Sequence, residues 1–213
     1  MKQFKGVIFD LDGVICHTDK FHYLAWKKLA DELNVYFDEK SNDRFRGVSR
    51  MDCLEMLLAD GNITATDEEK EALATRKNDY YKEYLKDMTP ADLSEEVKNT
   101  LDTLRARGYL LAIGSSSKNT VFILNCLGLG DFFDKIADGN DIKRSKPDPE
   151  VFLTAASRLG LEPSECLVVE DAEAGIDAGT AGGMKTAGVG MAAAYAKTTY
   201  SMPSIGTLLD ICE

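Results

Sequence analysis

The chain has 213 residues, 44% hydrophobic and 29% charged, the balance of a folded globular protein and not of a disordered one. Lys and Arg number 25 against 36 Asp and Glu, a formal net charge of −11, which argues against a broad nucleic-acid or anionic-membrane surface. Five widely spaced cysteines (Cys16, Cys53, Cys126, Cys166 and Cys212) form no CxxC pair, so they read as reduced thiols and not as a disulfide framework or a zinc knuckle.

In chain order, Gly6-Val7-Ile8-Phe9-Asp10 is a short apolar run ending in acid, predicted to be a buried strand, and Leu11-Asp12-Gly13-Val14 a turn. No leader precedes this strand and no apolar run approaches a membrane span, so a cytoplasmic protein without membrane contact is expected. From Asp19 to Leu33 the period becomes helical, with Phe21, Leu24, Ala25, Leu29 and Leu33 apolar. Ser49 with Asp52, and Thr66 with Glu69, are capping signals for two more helices, the first ending at Gly61 and the second near Lys86. Residues 16–88 therefore read as helical, without a strand.

Pro90 marks a junction, after which helices and strands alternate. Ser94 caps a helix stopped by Gly108; Tyr109 to Gly114 is a strand and Thr120 to Leu127 a helix. Lys135 to Ala137 is a short strand. Asp148 caps a helix with Pro149 first, ending near Gly160. Cys166 to Val169 is a strand, Ala172 to Ala181 a helix and Met184 to Val189 a last strand; the tail after Met191 is weakly patterned. This alternation predicts an α/β fold: a Rossmann-like parallel sheet with helices on both faces, residues 1–15 and 89–213, interrupted by an inserted α-helical cap domain, residues 16–88.

Ligands of such sheets bind beyond the carboxyl ends of the strands. Those ends carry Asp10 and Asp12, then Ser115, Ser116, Ser117 and Lys118, then Lys146 before Pro147, then Glu170 and Asp171. Hard oxygen donors in that number suit Mg²⁺ better than calcium, because no twelve-residue calcium loop is present. Lys146 can neutralise the acids or hold a phosphoryl oxygen, and hydroxyls at a helix start can meet an oxyanion. Phosphoryl transfer follows, with an Asp carboxylate as nucleophile. Gly175 and Gly179 form a GxxxG pair read as close helix–sheet packing.

Phe9-Asp10-Leu11-Asp12-Gly13-Val14, Ser115, Lys146-Pro147 and Glu170-Asp171 resemble, in order, the four motifs of the haloacid dehalogenase superfamily of phosphotransferases. The resemblance implies Asp10 as nucleophile, Asp12 as acid/base, and Mg²⁺ on the Asp10 and Asp171 carboxylates and the Asp12 carbonyl, with Glu170.

Within the helical insert three features stand out. His22 and Trp26 sit four apart on one helix face. Arg44, Arg46 and Arg50 surround Gly47 in an acidic protein, and Arg50 opens a helix where it can grip a phosphate. Lys77 falls in the apolar stripe of the third helix, where its alternative is a snorkelling stem. Together with Arg76-Lys77-Asn78 and Ser115-Ser116-Ser117-Lys118-Asn119, these segments resemble the β-phosphoglucomutase family. That resemblance implies interconversion of β-glucose 1-phosphate and glucose 6-phosphate through a bisphosphate. It gives Gly47, Val48, Ser49, Arg50, Ser117, Lys118 and Asn119 to the phosphate that is not reacting and Ser115 and Lys146 to the one that is. Thr18 becomes a hinge-side position, His22 and Lys77 a link between cap closure and Asp12, and Trp26 a substrate-side residue. The expected partners are small sugar phosphates, for a monomer. A sugar-phosphate phosphatase shares every core residue, and a non-catalytic phosphosugar binder is a third reading.

Overall fold

The computed structural model describes residues 3–45 and 48–213. Arg46 and Gly47 of the arginine-rich loop lie outside the described residues. The chain divides into two compact units, residues 18–88 and residues 1–17 with 89–213.

The first of these is helical: α1 (Asp19–Glu32), α2 (Glu39–Asp43), α3 (Arg50–Asp60) and α4 (Asp67–Leu85). Its starts are chemically defined. Ser49 Oγ accepts from Asp52 N at 3.2 Å. Thr66 Oγ1 accepts from Glu69 N at 3.3 Å while Glu69 Oε2 accepts from Thr66 N at 2.8 Å. Such caps each contribute about 1 kcal/mol. The short α2 was not anticipated: its sequence, Glu-Lys-Ser-Asn-Asp, has no apolar period, and Asp38 Oδ1 starts it by accepting from Ser41 N at 2.7 Å. Trp26, Leu29 and Ala30 of α1, Phe37, Phe45, then Leu54, Leu57 and Leu58 of α3 and Ala74 of α4 make one apolar core.

The other unit is a six-stranded, all-parallel sheet in the order β3-β2-β1-β4-β5-β6. Its strands are β1 (Gly6–Phe9), β2 (Leu110–Gly114), β3 (Lys135–Ala137), β4 (Cys166–Glu170), β5 (Lys185–Gly188) and β6 (Tyr200–Ser201). Its helices are α5 (Glu95–Ala106), α6 (Thr120–Cys126), α7 (Glu150–Leu159), α8 (Glu173–Ala181) and α9 (Leu208–Ile211). This is the Rossmann-like α/β fold expected. Val7 pairs with both Leu111 and Leu167, so β1 is central, and every residue of β1 and β4 is buried, which is why these strands read as continuous apolar runs. Ile8, Ala112 and Val168 pack with Val151, Phe152 and Ala155 of α7. Pro149 is the residue before α7 and not its first residue, although Asp148 Oδ1 still accepts from Glu150 N at 3.0 Å. The tail carries the two-residue β6 and the four-residue α9, both too short to leave a pattern. The strand order reverses at β1, so the C-terminal ends of β1, β2 and β4 flank the position where a ligand binds in such sheets.

Candidate active site

The acids stand at those ends because the ladders run past the strands. Asp10 N donates to Val169 O at 2.9 Å, which keeps Asp10 beside β4 and its last residue, Glu170. Ser115 N donates to Ala137 O at 3.1 Å, so Ser115 continues β2 in the same way. Asp10, Ser115 and Glu170 are all buried.

Lys146 reaches this edge from the loop before α7, through a cis peptide to Pro147. Its Nζ donates to Asp10 Oδ1 and, at 2.6 Å, to Glu170 Oε1, and lies 4.6 Å from the centre of the Phe152 ring. Burial works against the ammonium charge, and the Asp10 and Glu170 carboxylates outweigh it, so the Lys146 pKa is raised. Glu170 Oε2 accepts from the amides of Asp171 (2.9 Å) and Ala172 (3.0 Å), so both of its oxygens are engaged. Asp171 is half-buried, and burial followed by the Glu170, Asp10 and Asp12 carboxylates pushes its pKa up to about 7.

Each of Asp10, Glu170 and Asp171 offers one carboxylate oxygen, and the three lie within 4.8 Å of one another. With Asp12 nearby, one ammonium faces four carboxylates. The deficit of positive charge and the all-oxygen donor set fit a hard divalent cation.

Two glycines make this packing possible. Gly13 has φ +88°, and a Cβ there would lie 2.1 Å from Asp171 Oδ2. A Cβ on Gly175, one turn into α8, would lie 1.9 Å from Glu170 Cδ. The GxxxG pair is thus split in purpose: Gly179 packs on Val168 and Thr186 of the sheet, as expected, whereas Gly175 makes room for a carboxylate. Neither clearance is visible in sequence except as the Asp-Gly turn and the helix glycine themselves.

After β2 the chain winds tightly. Ser115 Oγ accepts from Ser117 N and Ser117 Oγ from Asn119 N, each at 3.2 Å. Asn119 is buried, Ser117 half-buried and Lys118 exposed. Among the described residues Ser116 Oγ is buried without a hydrogen-bond partner.

In the helical unit a second cluster forms around Lys77, which is 2% exposed. Its Nζ is 2.9 Å from His22 Nδ1, 4.7 Å from the centre of the Trp26 ring and 4.9 Å from that of Tyr81. Burial first and the Arg50 charge second lower its pKa to about 7. Burial, Lys77 and Arg50 hold His22 well below its ordinary value, so it is neutral. Burial also lowers Arg50 from its ordinary value. The ring of His22 stacks on Tyr81 at 4.1 Å, and Tyr81 Oη donates to Thr18 Oγ1 at 2.9 Å. Tyr81, which the sequence did not single out, therefore ties Thr18 to this cluster. Trp26 is 2% exposed, edge-on to Phe45 at the border of the apolar core, and it faces Lys77. Ser49 caps α3 and Val48 is exposed, while Gly47 lies outside the described residues.

Strand-end carboxylates around one lysine, on this sheet order, define a class of protein. The chain belongs to the haloacid dehalogenase-like hydrolase family, whose family model matches residues 4–183. It is 42% identical over 188 residues to the β-phosphoglucomutase of Bacillus subtilis (strain 168), covering 87% of this chain and 83% of that one. It is 30% identical over 184 residues to the fructose-1-phosphate phosphatase YqaB of Escherichia coli (strain K12), covering 86% and 95%. The crystal structure of a β-phosphoglucomutase from Clostridium difficile superposes with a TM-score of 0.87 at 38% identity, covering 96% and 93%.

Proposed function

We propose that the protein is a Mg²⁺-dependent phosphomutase that interconverts β-glucose 1-phosphate and glucose 6-phosphate. The observation that carries this reading is the Asp10 carboxylate, buried at a strand end, bonded by Lys146 and flanked by Glu170 and Asp171. Similarity to two β-phosphoglucomutases, at 42% and 38% identity, supports the mutase over a phosphatase.

In this reading the resting enzyme carries a phosphoryl group on Asp10. The sugar's C6 hydroxyl attacks that phosphorus, Asp12 takes the hydroxyl proton, and the Asp10–phosphorus bond breaks to release the bisphosphate. The bisphosphate turns around. Asp10 then attacks the phosphorus on C1, the bond from phosphorus to the C1 oxygen breaks, and Asp12 returns its proton to that oxygen, leaving glucose 6-phosphate. Mg²⁺ held by the Asp10 and Asp171 carboxylates and the Asp12 carbonyl, with Glu170, would screen the repulsion between carboxylate and phosphate when bound. Lys146 orients Asp10 and faces the transferring phosphoryl oxygens with Ser115. By the family resemblance, the phosphate that is not reacting falls to Ser117, Lys118 and Asn119, and Arg50 and Ser49 are phosphate ligands as well. His22 and Lys77 link substrate binding to the placement of Asp12.

A mixture of protein, Mg²⁺, a trace of β-glucose 1,6-bisphosphate and β-glucose 1-phosphate tests this. Glucose 6-phosphate forming much faster than inorganic phosphate is the expected result. Rapid inorganic phosphate without glucose 6-phosphate would instead support a sugar-phosphate phosphatase, the reading that the 30% identity to the fructose-1-phosphate phosphatase favours.

A further inference from the structure

The loop after β3, Asp138-Gly139-Asn140-Asp141, carries no role in the reaction above, yet it is fastened to the phosphate loop at two consecutive carbonyls. Gly139 N donates to Ser117 O at 3.1 Å, and Asn140 Nδ2 donates to Lys118 O at 3.1 Å. A peptide unit is planar, so fixing a carbonyl fixes the direction of the next residue's N–H. The two bonds therefore set the direction of the Lys118 amide and of the Asn119 amide, the latter toward Ser117 Oγ. They act on the same turn in which Ser115 and Ser117 hydroxyls hold alternate amides and Ser116 Oγ lacks a partner among the described residues.

The clamp is itself held in place. Asp138 is buried, and its Oδ1 accepts from Asn140 N at 2.8 Å and Asn140 Nδ2 at 3.1 Å, which turns the amide toward Lys118. Asp141 Oδ2 accepts from Asp138 N at 2.9 Å, closing the loop on itself. Arg158 of α7 then grips both Asp141 oxygens at 2.7 Å. The fit leaves no slack, because a Cβ on Gly139 would lie 2.3 Å from Ser116 O and 3.0 Å from Lys118 N. The same helix that follows Lys146 at one end thus anchors, near its other end, the loop that shapes Ser117 and Lys118.

We infer that Asn140 is a positioning residue for phosphate binding: through its side-chain amide it sets the backbone of Ser117-Lys118-Asn119 in the geometry that receives the non-reacting phosphate. The inference rests on the phosphotransferase reading given above.

The test compares Asn140→Ala with the parent, both in an Asp10→Asn background so that bisphosphate is not consumed. Calorimetry measures the Kd of β-glucose 1,6-bisphosphate, and thermal denaturation measures stability. In the Asp10 background the rate of Asp10 phosphorylation by acetyl phosphate, which has no second phosphate, is followed as the control. The expected result is a Kd raised about three- to tenfold, the factor of one hydrogen bond, with phosphorylation by acetyl phosphate within about twofold of the parent. Asn140→Gln, which keeps the donor, recovers part of the affinity. An unchanged Kd overturns the inference, as does an equal loss of affinity and of phosphorylation rate with a lowered melting temperature, the mark of a merely structural role. Raised Kd in a protein that fails to interconvert the two glucose phosphates keeps the inference and removes the mutase. Unchanged Kd in a protein that does interconvert them has the opposite meaning. A parent with no affinity for the bisphosphate removes both.

Discussion

Replacing Lys77 by Met is expected to stabilise the protein while damaging its activity. The Lys77 ammonium is buried in the helical unit, where the charged or titratable groups around it are His22, Arg50, Cys53 and Tyr81. His22 is neutral, burial raises the Cys53 thiol to about 11, and Arg50 repels. Burial and Arg50 lower the Lys77 pKa from 10.5 to about 7. At ~1.4 kcal/mol per pH unit, that gap bounds the cost of the buried charge at about 5 kcal/mol. The Trp26 and Tyr81 ring faces and the hydrogen bond to His22 Nδ1 return about 2–4 kcal/mol of it, so the substitution gains on the order of 1–2 kcal/mol at pH 6. The sign follows from proton counting. Between pH 7 and 10.5 the unfolded chain holds a proton on Lys77 that the folded chain does not, so the parent's stability rises with pH by up to ~1.4 kcal/mol per unit. Below pH 7 both states hold it and the full cost stands. The advantage of Lys77→Met is therefore greatest below pH 7 and vanishes near pH 10.5. Urea denaturation followed by fluorescence suits this, because Trp26 is the single tryptophan and lies against Lys77. A variant less stable than the parent by the same amount at pH 6 and pH 9 would refute the reasoning.

Three further outcomes are expected. Gly13→Ala meets both a φ of +88° and an overlap with Asp171 Oδ2, so it should cost about 1–3 kcal/mol in thermal stability and lower kcat at least tenfold in a coupled assay. Arg50→Ala should raise KM for β-glucose 1-phosphate about 10- to 100-fold, the worth of a charged hydrogen bond to phosphate, and leave phosphorylation by acetyl phosphate within twofold, as measured by acid-quench labelling. Millimolar Mg²⁺ should raise the melting temperature of the parent, since a ligand at 100 times its Kd adds about 2.7 kcal/mol; Asp171→Asn should abolish most of that rise, as scanning fluorimetry will show.

What the sequence made legible follows local rules. The runs at Gly6–Phe9 and Cys166–Glu170 are short, apolar and doubly buried, and the helix starts at Ser49, Thr66 and Ser94 carry their own hydrogen-bond acceptors. Because strand ends converge on one edge of a parallel sheet, Asp10, Ser115 and Glu170 were identifiable before their contacts were known. Lys77 was visible because a lysine broke an apolar stripe, and it is indeed buried. What was illegible depends on tertiary approach. Trp26 shares a helix face with His22, but its packing on Phe45 and its place over Lys77 come from residues far along the chain. Gly13 and Gly175 have meaning only once Asp171 and Glu170 are beside them. Tyr81 meets Thr18 from 63 residues away, and Asn140 meets Lys118 across two loops, so no local pattern marks either. The tail elements β6 and α9 are too short for any period. Among the described residues no helix is long and apolar enough to cross a membrane.

The most direct measurement is acid quenching of the protein after brief exposure to Mg²⁺ and β-glucose 1,6-bisphosphate, with peptide mass spectrometry to locate the transferred group. One phosphoryl group on Asp10, absent from Asp10→Asn and chased into sugar by β-glucose 1-phosphate, is the predicted result. Phosphorus on another residue, or an Asp10→Asn protein that converts substrate at the parent's rate, would contradict it.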